Sequence, residues 1–181
     1  MEFFTADLHL GSTNIIKYCK RPFKSGDHQI KRLVGEINNR CKPEDTLYHV
    51  GDFILYGKER GVESLRIKPV TLEKSINCKL VHILGNHDRN NKIKGGLDLA
   101  ILKVGKYTAL LTHFPPWDKR IVDITSSIKG IDVYICGHVH DSWKLRSFKD
   151  KLVINVGVDV WNYRPVSKVQ LIKLIDKTVV K

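Results

Sequence analysis

Three short apolar runs in the first half of the chain stop abruptly at glycine, carboxylate or amide residues. Phe3 to Ala6 ends at Asp7, Thr46-Leu47-Tyr48-His49-Val50 ends at Gly51-Asp52, and Leu80-Val81-His82-Ile83-Leu84 ends at Gly85-Asn86. Apolar runs of this length closed by turn residues read as buried strands that empty into loops. Helical spacing lies between them. Ile30, Leu33, Val34 and Ile37 recur up to about Arg40 behind Asp27, which is read as the N-cap. A second helix is expected from Leu65 to Ile76, with Pro69 at a break or a first turn. Strand, helix, strand, helix, strand predicts βαβ units and a mostly parallel sheet. The second half is richer in β pattern. Leu99 to Val104 and Tyr107 to Thr112 flank Gly105-Lys106 as a hairpin. Ile131 to Cys136, Trp143 to Phe148, Leu152 to Val156 and Val169 to Ile175 read as further strands. The expected fold class is α/β with added antiparallel β, in a single domain spanning 1–181, since no repeat, linker or low-complexity tract interrupts the 181 residues.

The strand ends carry the chemistry. Asp7 and His9 are two apart, so along an extended chain both side chains face one side. Asp52 closes the second run, Asn86 and His87 the third, and His113 follows Tyr107 to Thr112; His138 and His140 follow Cys136, again two apart. Open α/β sheets build their sites beyond the carboxyl ends of strands. Taken singly, each motif is also what an ordinary polar turn looks like. As a set, mixed carboxylate, imidazole and amide oxygen suits manganese, iron, zinc or nickel. The set has too few carboxylates for a calcium cage and too many donors for one tetrahedral zinc. Seven side chains fit two adjacent divalent ions sharing a carboxylate, an arrangement that suits phosphoryl transfer.

The order Asp-x-His, Gly-Asp, Gly-Asn-His-Asp, His, Gly-His-x-His resembles the calcineurin-like metallophosphoesterases, from Asp7 to His140. The chain looks most like the small single-domain prokaryotic and phage members, through Asn14 to Cys19 with Arg21-Pro22-Phe23, and through Asn155 to Trp161. The resemblance implies two packed mixed β-sheets, a β-sandwich, flanked by helices. It implies that Asp7, His9 and His140 hold a first metal, that Asn86, His113 and His138 hold a second, and that Asp52 bridges them together with a water or hydroxide. His87 would protonate the leaving alkoxide, a role open to an imidazole at neutral pH. Asp88 would orient His87 or cap the next turn. Manganese is the first choice of metal. The Gly51-Asp52-Phe53 segment lacks the arginine that follows this motif in the protein-phosphatase branch, which argues against a phosphoprotein substrate.

Charge bears on the substrate. The 31 Lys and Arg residues outnumber the 19 Asp and Glu, leaving +12. Such an excess suits an anionic phosphoester, and a nucleotide, cyclic nucleotide or nucleic acid is expected, cleaved as a phosphodiester. The alternatives are a phosphomonoesterase, a non-catalytic metal-binding scaffold, and a nucleic-acid binder acting through charge alone. Lys17, Lys20, Arg21 and Lys24, and then Arg89, Lys92 and Lys94, either line the site mouth or form a solvated surface. Phe114, Trp117 and Trp161 either form a wall for a base or plug the core; His49 and His82, inside apolar runs, read as core groups. Cys19, Cys41, Cys78 and Cys136 form no CxxC pair and read as structural. No apolar run approaches the roughly 18 residues of a membrane helix, and the acidic N-terminus has no signal layout. A soluble, cytoplasmic protein is expected, with no membrane partner.

Overall fold

Alternation along the first strand explains the layering. In β1 (Glu2–Thr5), Phe3 and Phe4 point to opposite faces and both are buried. Phe4 faces a second sheet, whereas Phe3 faces helices. A strand with two apolar faces can only sit in the middle of a layered structure. The computed structural model describes residues 1–55 and 67–179.

The first sheet has the order β3-β2-β1-β9. Its β1, β2 (Thr46–Val50) and β3 (Lys79–Ile83) are parallel, and β9 (Val166–Ser167) pairs antiparallel with β1. The second sheet has the order β4-β5-β6-β8-β7, built from β4 (Leu99–Val104), β5 (Tyr107–Thr112), β6 (Val133–Cys136), β7 (Leu145–Phe148) and β8 (Lys151–Asn155). The pairs β5–β6 and β6–β8 are parallel, while the outer pairs β4–β5 and β7–β8 are antiparallel. The fold is therefore mixed α/β, with two mixed sheets packed face to face.

Phe4, Ala6, Val50 and Ile83 of the first sheet meet Leu111, Val133, Ile135 and Ile154 of the second. The far face of the first sheet is covered by α2 (Gly26–Arg40) and α3 (Pro69–Lys74), through Leu33, Ile37 and Leu72. The far face of the second is closed by Ile128, Ile131, Trp143 and Phe148 over Leu110, Tyr134 and Val153. Short helices α1 (Thr13–Tyr18) and α4 (Val122–Ser127) sit in the loops after β1 and β5. No helix among the described residues is long and apolar enough to cross a membrane.

Three expectations change. Val169 to Ile175 is not a strand but part of α5 (Lys168–Val179). Its β-branched residues imitate a strand, yet Leu171 and Ile175 are one helical turn apart and both buried, with Val169 exposed. The start signal was Ser167, whose Oγ accepts from the Gln170 N–H at 3.2 Å. Helix α2 is capped by Ser25, whose Oγ accepts from the His28 N–H at 3.1 Å; Asp27 lies in the first turn, where its charge favours the N-terminus. Helix α3 begins at Pro69, its first-turn position, and Leu65 and Arg66 of the expected helix lie outside the described residues.

Candidate metal centre

Parallel pairing puts the carboxyl ends of β1, β2 and β3 along one edge, and those of β5 and β6 along the facing edge of the other sheet. Asp7, Asp52, Asn86, His113 and the pair His138 and His140 leave from those ends. The backbone there is strained. Asp7 (φ 55°), His9 (φ 45°), Asp52 (φ 60°), His138 (φ 72°) and His140 (φ 48°) all lie in the left-handed region, which costs a non-glycine residue of order 1–3 kcal/mol. Such strain persists only where the surroundings enforce it. Here the Asp7 and His9 N–H groups donate to the carbonyls of Gly51 and Asp52, both at 2.9 Å. Two glycines permit the close approach: a Cβ on Gly51, at φ +91°, would stand 2.1 Å from His113 Nδ1, and one on Gly85 would stand 2.3 Å from Asp52 Oδ1.

Asp52 is the centre of the cluster. Its Oδ2 lies 3.5 Å from His9 Nε2, 3.4 Å from His113 Nε2 and 4.0 Å from His87 Nε2. The donor atoms of Asp7, His9 and His140 converge on one side, and those of Asp7, Asp52 and His113 on the other, so Asp7 belongs to both groupings. Asn86 joins the second through its Oδ1, 3.2 Å from His113 Nε2. His138 packs its ring 5.2 Å from that of His113, but its Nε2 accepts from Arg120 Nη2 at 2.9 Å, and it stands outside both three-donor groupings. His87 is at the mouth, its side chain 45% exposed, with its backbone N–H donating to Asp52 Oδ1 at 3.0 Å.

The electrostatics fit divalent cations. Burial pushes the Asp7 carboxyl up to about 7, against the charge of His113 and with added repulsion from Asp52. Burial also pushes Asp52 up, but the hydrogen bond and charge of His113, with His9, outweigh it and hold Asp52 well below the usual carboxylate range. Burial holds the His9 imidazole neutral, far below its usual value, and lowers His138 to about 4. His9 Nε2 is buried with no hydrogen-bond partner among the described residues. His113 is the sharpest case. Its Nδ1 lies 3.0 Å from the Val50 carbonyl, so its Nε2 faces the oxygens of Asp52 and Asn86. A lone pair aimed at two oxygens needs a cation between them, and without a metal the proton serves: burial lowers His113, but Asp52 and Asp7 override it and raise it to about 9. Two buried carboxylates, three imidazole lone pairs and an amide oxygen are the donors borderline divalent metals take.

Several residues that hold this centre were not legible as such. Asp88 does not bond His87. Its carboxylate accepts the N–H groups of Asp52, Phe53 and Gly85 at 2.7–2.8 Å, tying the second and third strand ends together. Arg21 is not part of a basic surface. It is buried, donates to both Asp159 oxygens at 2.8 Å, and donates to the Asp7 and Leu8 carbonyls at 2.7 and 2.9 Å. Asn155 donates to the His140 and Trp143 carbonyls, both at 2.8 Å. Cys19 Sγ lies 3.4 Å from His140 Nδ1, so this cysteine touches the site, while Cys41, Cys78 and Cys136 are buried and unpaired by disulfides. Of the aromatic residues, Phe114 stacks edgewise on His113 and His138 at 5.0 and 4.9 Å. Trp117 packs on Trp143 and Phe148, and Lys144 Nζ lies 3.5 Å from the centre of the Trp161 ring, whose Nε1 donates to the Asn155 carbonyl at 2.8 Å. His49 and His82 are core groups, their Nδ1 atoms 3.4 Å apart behind Phe53.

Comparison with known proteins agrees with this geometry. The sequence model of the calcineurin-like phosphoesterase superfamily domain matches residues 6–171. An uncharacterised protein of Methanocaldococcus jannaschii is 32% identical over 179 residues, covering 97% of this chain and 91% of that protein. The crystal structure of a protein of unknown function from Aquifex aeolicus superposes with a TM-score of 0.72 at 26% identity, over 97% of this chain and 99% of the other. The chain belongs to the calcineurin-like phosphoesterase superfamily. It carries clustered metal-type ligands at the strand ends, and the family chemistry is hydrolysis of phosphoesters.

Proposed function

We propose that this chain is a dinuclear metal-dependent phosphodiesterase acting on a nucleotide, cyclic nucleotide or nucleic acid. In this reading Asp7, His9 and His140 hold one divalent ion, and Asn86, His113 and His138 hold the other. Asp52 is shared, and manganese is the expected metal. The observation that carries the reading is the position of Asp52 Oδ2, 3.5 Å from His9 Nε2 and 3.4 Å from His113 Nε2, between two donor sets. Two ions bound there would supply charge against the phosphoryl oxygens and make water acidic enough to attack near neutral pH.

The protein's own groups do the rest. Burial of Asp7 and Asp52 keeps water from screening the centre. His87 stands at the open side, its backbone fixed by Asp52 and by Asn91 Nδ2, which donates to the His87 carbonyl at 2.7 Å. From there its imidazole delivers a proton to the leaving oxygen. The +12 charge supports a polyanionic substrate, as do exposed Lys17, Lys20 and Lys24, which follow His9 in the chain, and Arg89, Lys92 and Lys94, which follow His87, Arg89 being ion-paired with Asp98. A diester is preferred because a nucleotide chain offers such cations phosphates beyond the scissile one.

The test is hydrolysis by chelator-stripped protein of a chromogenic phosphodiester and the matching phosphomonoester, with and without added Mn²⁺. Manganese-dependent cleavage with diester preference is expected. Monoester preference would overturn the diester assignment, and turnover of neither would overturn the enzymatic reading in favour of a scaffold.

A further inference from the structure

We propose that Arg120 is the side chain that grips the substrate's phosphoryl oxygens. This rests on the phosphoesterase reading above and adds a substrate-binding residue that lies outside the expected ligand and acid set. Arg120 comes from the loop between β5 and α4, seven residues after His113, and its side chain is 41% exposed at the mouth of the centre.

Its position is built. The guanidinium carbon lies 3.7 Å from the centre of the Phe114 ring, and Phe114 is itself wedged against His113 and His138. Asp118 holds the group in a fork: Nε donates to Oδ1 at 2.7 Å and Nη2 to Oδ2 at 2.6 Å. The Arg120 N–H also donates to Asp118 Oδ1 at 2.9 Å. The shelf and the fork together fix the plane of the guanidinium. Nη2 then reaches the metal-ligand cluster itself, 2.9 Å from His138 Nε2.

The chemistry of that last contact is informative. A guanidinium only donates, so His138 Nε2 accepts, and its lone pair is the one His138 would offer a divalent ion. A cation at His138 and the guanidinium exclude each other there. With an ion held by His138, Arg120 keeps its anchors on Phe114 and Asp118 and turns its free donors to what lies over the ion. Nη1 makes no hydrogen bond among the described residues, so two N–H groups are already uncommitted. A tetrahedral phosphoryl group bound at the centre presents non-bridging oxygens there, and a planar fork is the geometry that matches them. Held by Phe114 and Asp118, Arg120 is a positioned donor.

The experiment measures inorganic phosphate, the product-like probe, binding to manganese-loaded protein by titration calorimetry, with KM and kcat for the chromogenic esters alongside. Arg120→Ala is expected to weaken phosphate binding and raise KM by roughly 10- to 100-fold, with metal content and melting temperature unchanged. Arg120→Lys, which keeps charge but loses the fork, should recover only part of this. Asp118→Asn weakens the fork but leaves the guanidinium on Phe114, so it should cost clearly less phosphate affinity than Arg120→Ala. Unchanged phosphate affinity in Arg120→Ala would overturn the assignment, and so would equal losses in Arg120→Ala and Asp118→Asn, because that is the signature of a loop brace. Those results leave wild-type hydrolysis intact and strike only this inference. Wild-type protein that neither binds phosphate nor cleaves an ester would bring down the phosphoesterase reading as well.

Discussion

Replacing Arg21 by alanine tests how the strained ligand loop is held. Arg21 and Asp159 side chains are 0% and 1% exposed, and the guanidinium makes four hydrogen bonds of 2.7–2.9 Å. Two go to Asp159. The other two hold the carbonyls of Asp7 and Leu8, flanking the left-handed turn that presents Asp7 and His9. Removing one partner of a buried pair leaves an uncompensated charge, at a cost of about 3–5 kcal/mol. The orphaned carbonyls add to this, although not independently, since all four bonds share one group. The lower figure lowers the melting temperature by roughly 6–12 °C for a chain of this size. Thermal and urea denaturation of metal-free protein measure it. A second variant separates charge burial from loop support. In Arg21→Met with Asp159→Leu the ion pair is gone altogether, so most of the stability should return. The Asp7 and Leu8 carbonyls still lack their donor, so the affinity for the first manganese should stay weakened by about tenfold or more. Arg21→Ala within about 1 kcal/mol of wild type would refute the argument, and so would a double variant with full metal affinity.

Three further outcomes follow from the same geometry. His87→Ala should lower turnover roughly 100-fold or more without changing manganese content, because His87 supplies a proton and no metal bond; activity retained within a few-fold of wild type removes that role. Gly51→Ala should destabilise the fold by at least about 1–2 kcal/mol from its positive φ alone, with further loss as His113 is pushed aside, while Gly35→Ala, where an added Cβ meets nothing within 4 Å, should gain about 0.5–1 kcal/mol; urea denaturation ranks the two, and the reverse order would contradict the packing. His49 and His82 are held neutral by burial, with their pKa values below the usual imidazole range. Unfolding lets them bind protons near pH 6.5, so the unfolded state gains protons and stability falls as pH drops below that value, by up to about 1.4 kcal/mol per pH unit for each. Urea midpoints of chelated His49→Leu protein should show a shallower fall from pH 7 to 5 than wild type, and identical slopes would show that His49 titrates alike in both states.

What the sequence made legible is what lies at strand ends. Asp7, His9, Asp52, Asn86, His113, His138 and His140 stand out because apolar runs stop at them, and parallel pairing then gathers those ends without further information. The hairpin at Gly105-Lys106 was legible for a related local reason, a two-residue turn between apolar runs. The braces were not. Arg21 meets Asp159 across 138 residues, and Asp88 meets Asp52 across 36. Neither pairing leaves a local pattern, and a lone arginine among lysines looks like surface. Helix α5 reads as a strand because Val169, Leu171 and Ile175 satisfy a strand by composition, while the helix is chosen by tertiary packing of one face against β1 and β4. Arg120 and Asp118, two residues apart, look like an ordinary surface ion pair; the contact with His138 arises only because β5 and β6 pair in parallel and bring the loops that follow them together.

The central claim is that Asp52 stands between two ion sites. Calorimetric titration of chelator-stripped protein with Mn²⁺ tests it most directly, with metal content checked by elemental analysis of the dialysed product. Two ions per chain are predicted. A single ion, or none at millimolar manganese, would contradict the dinuclear centre.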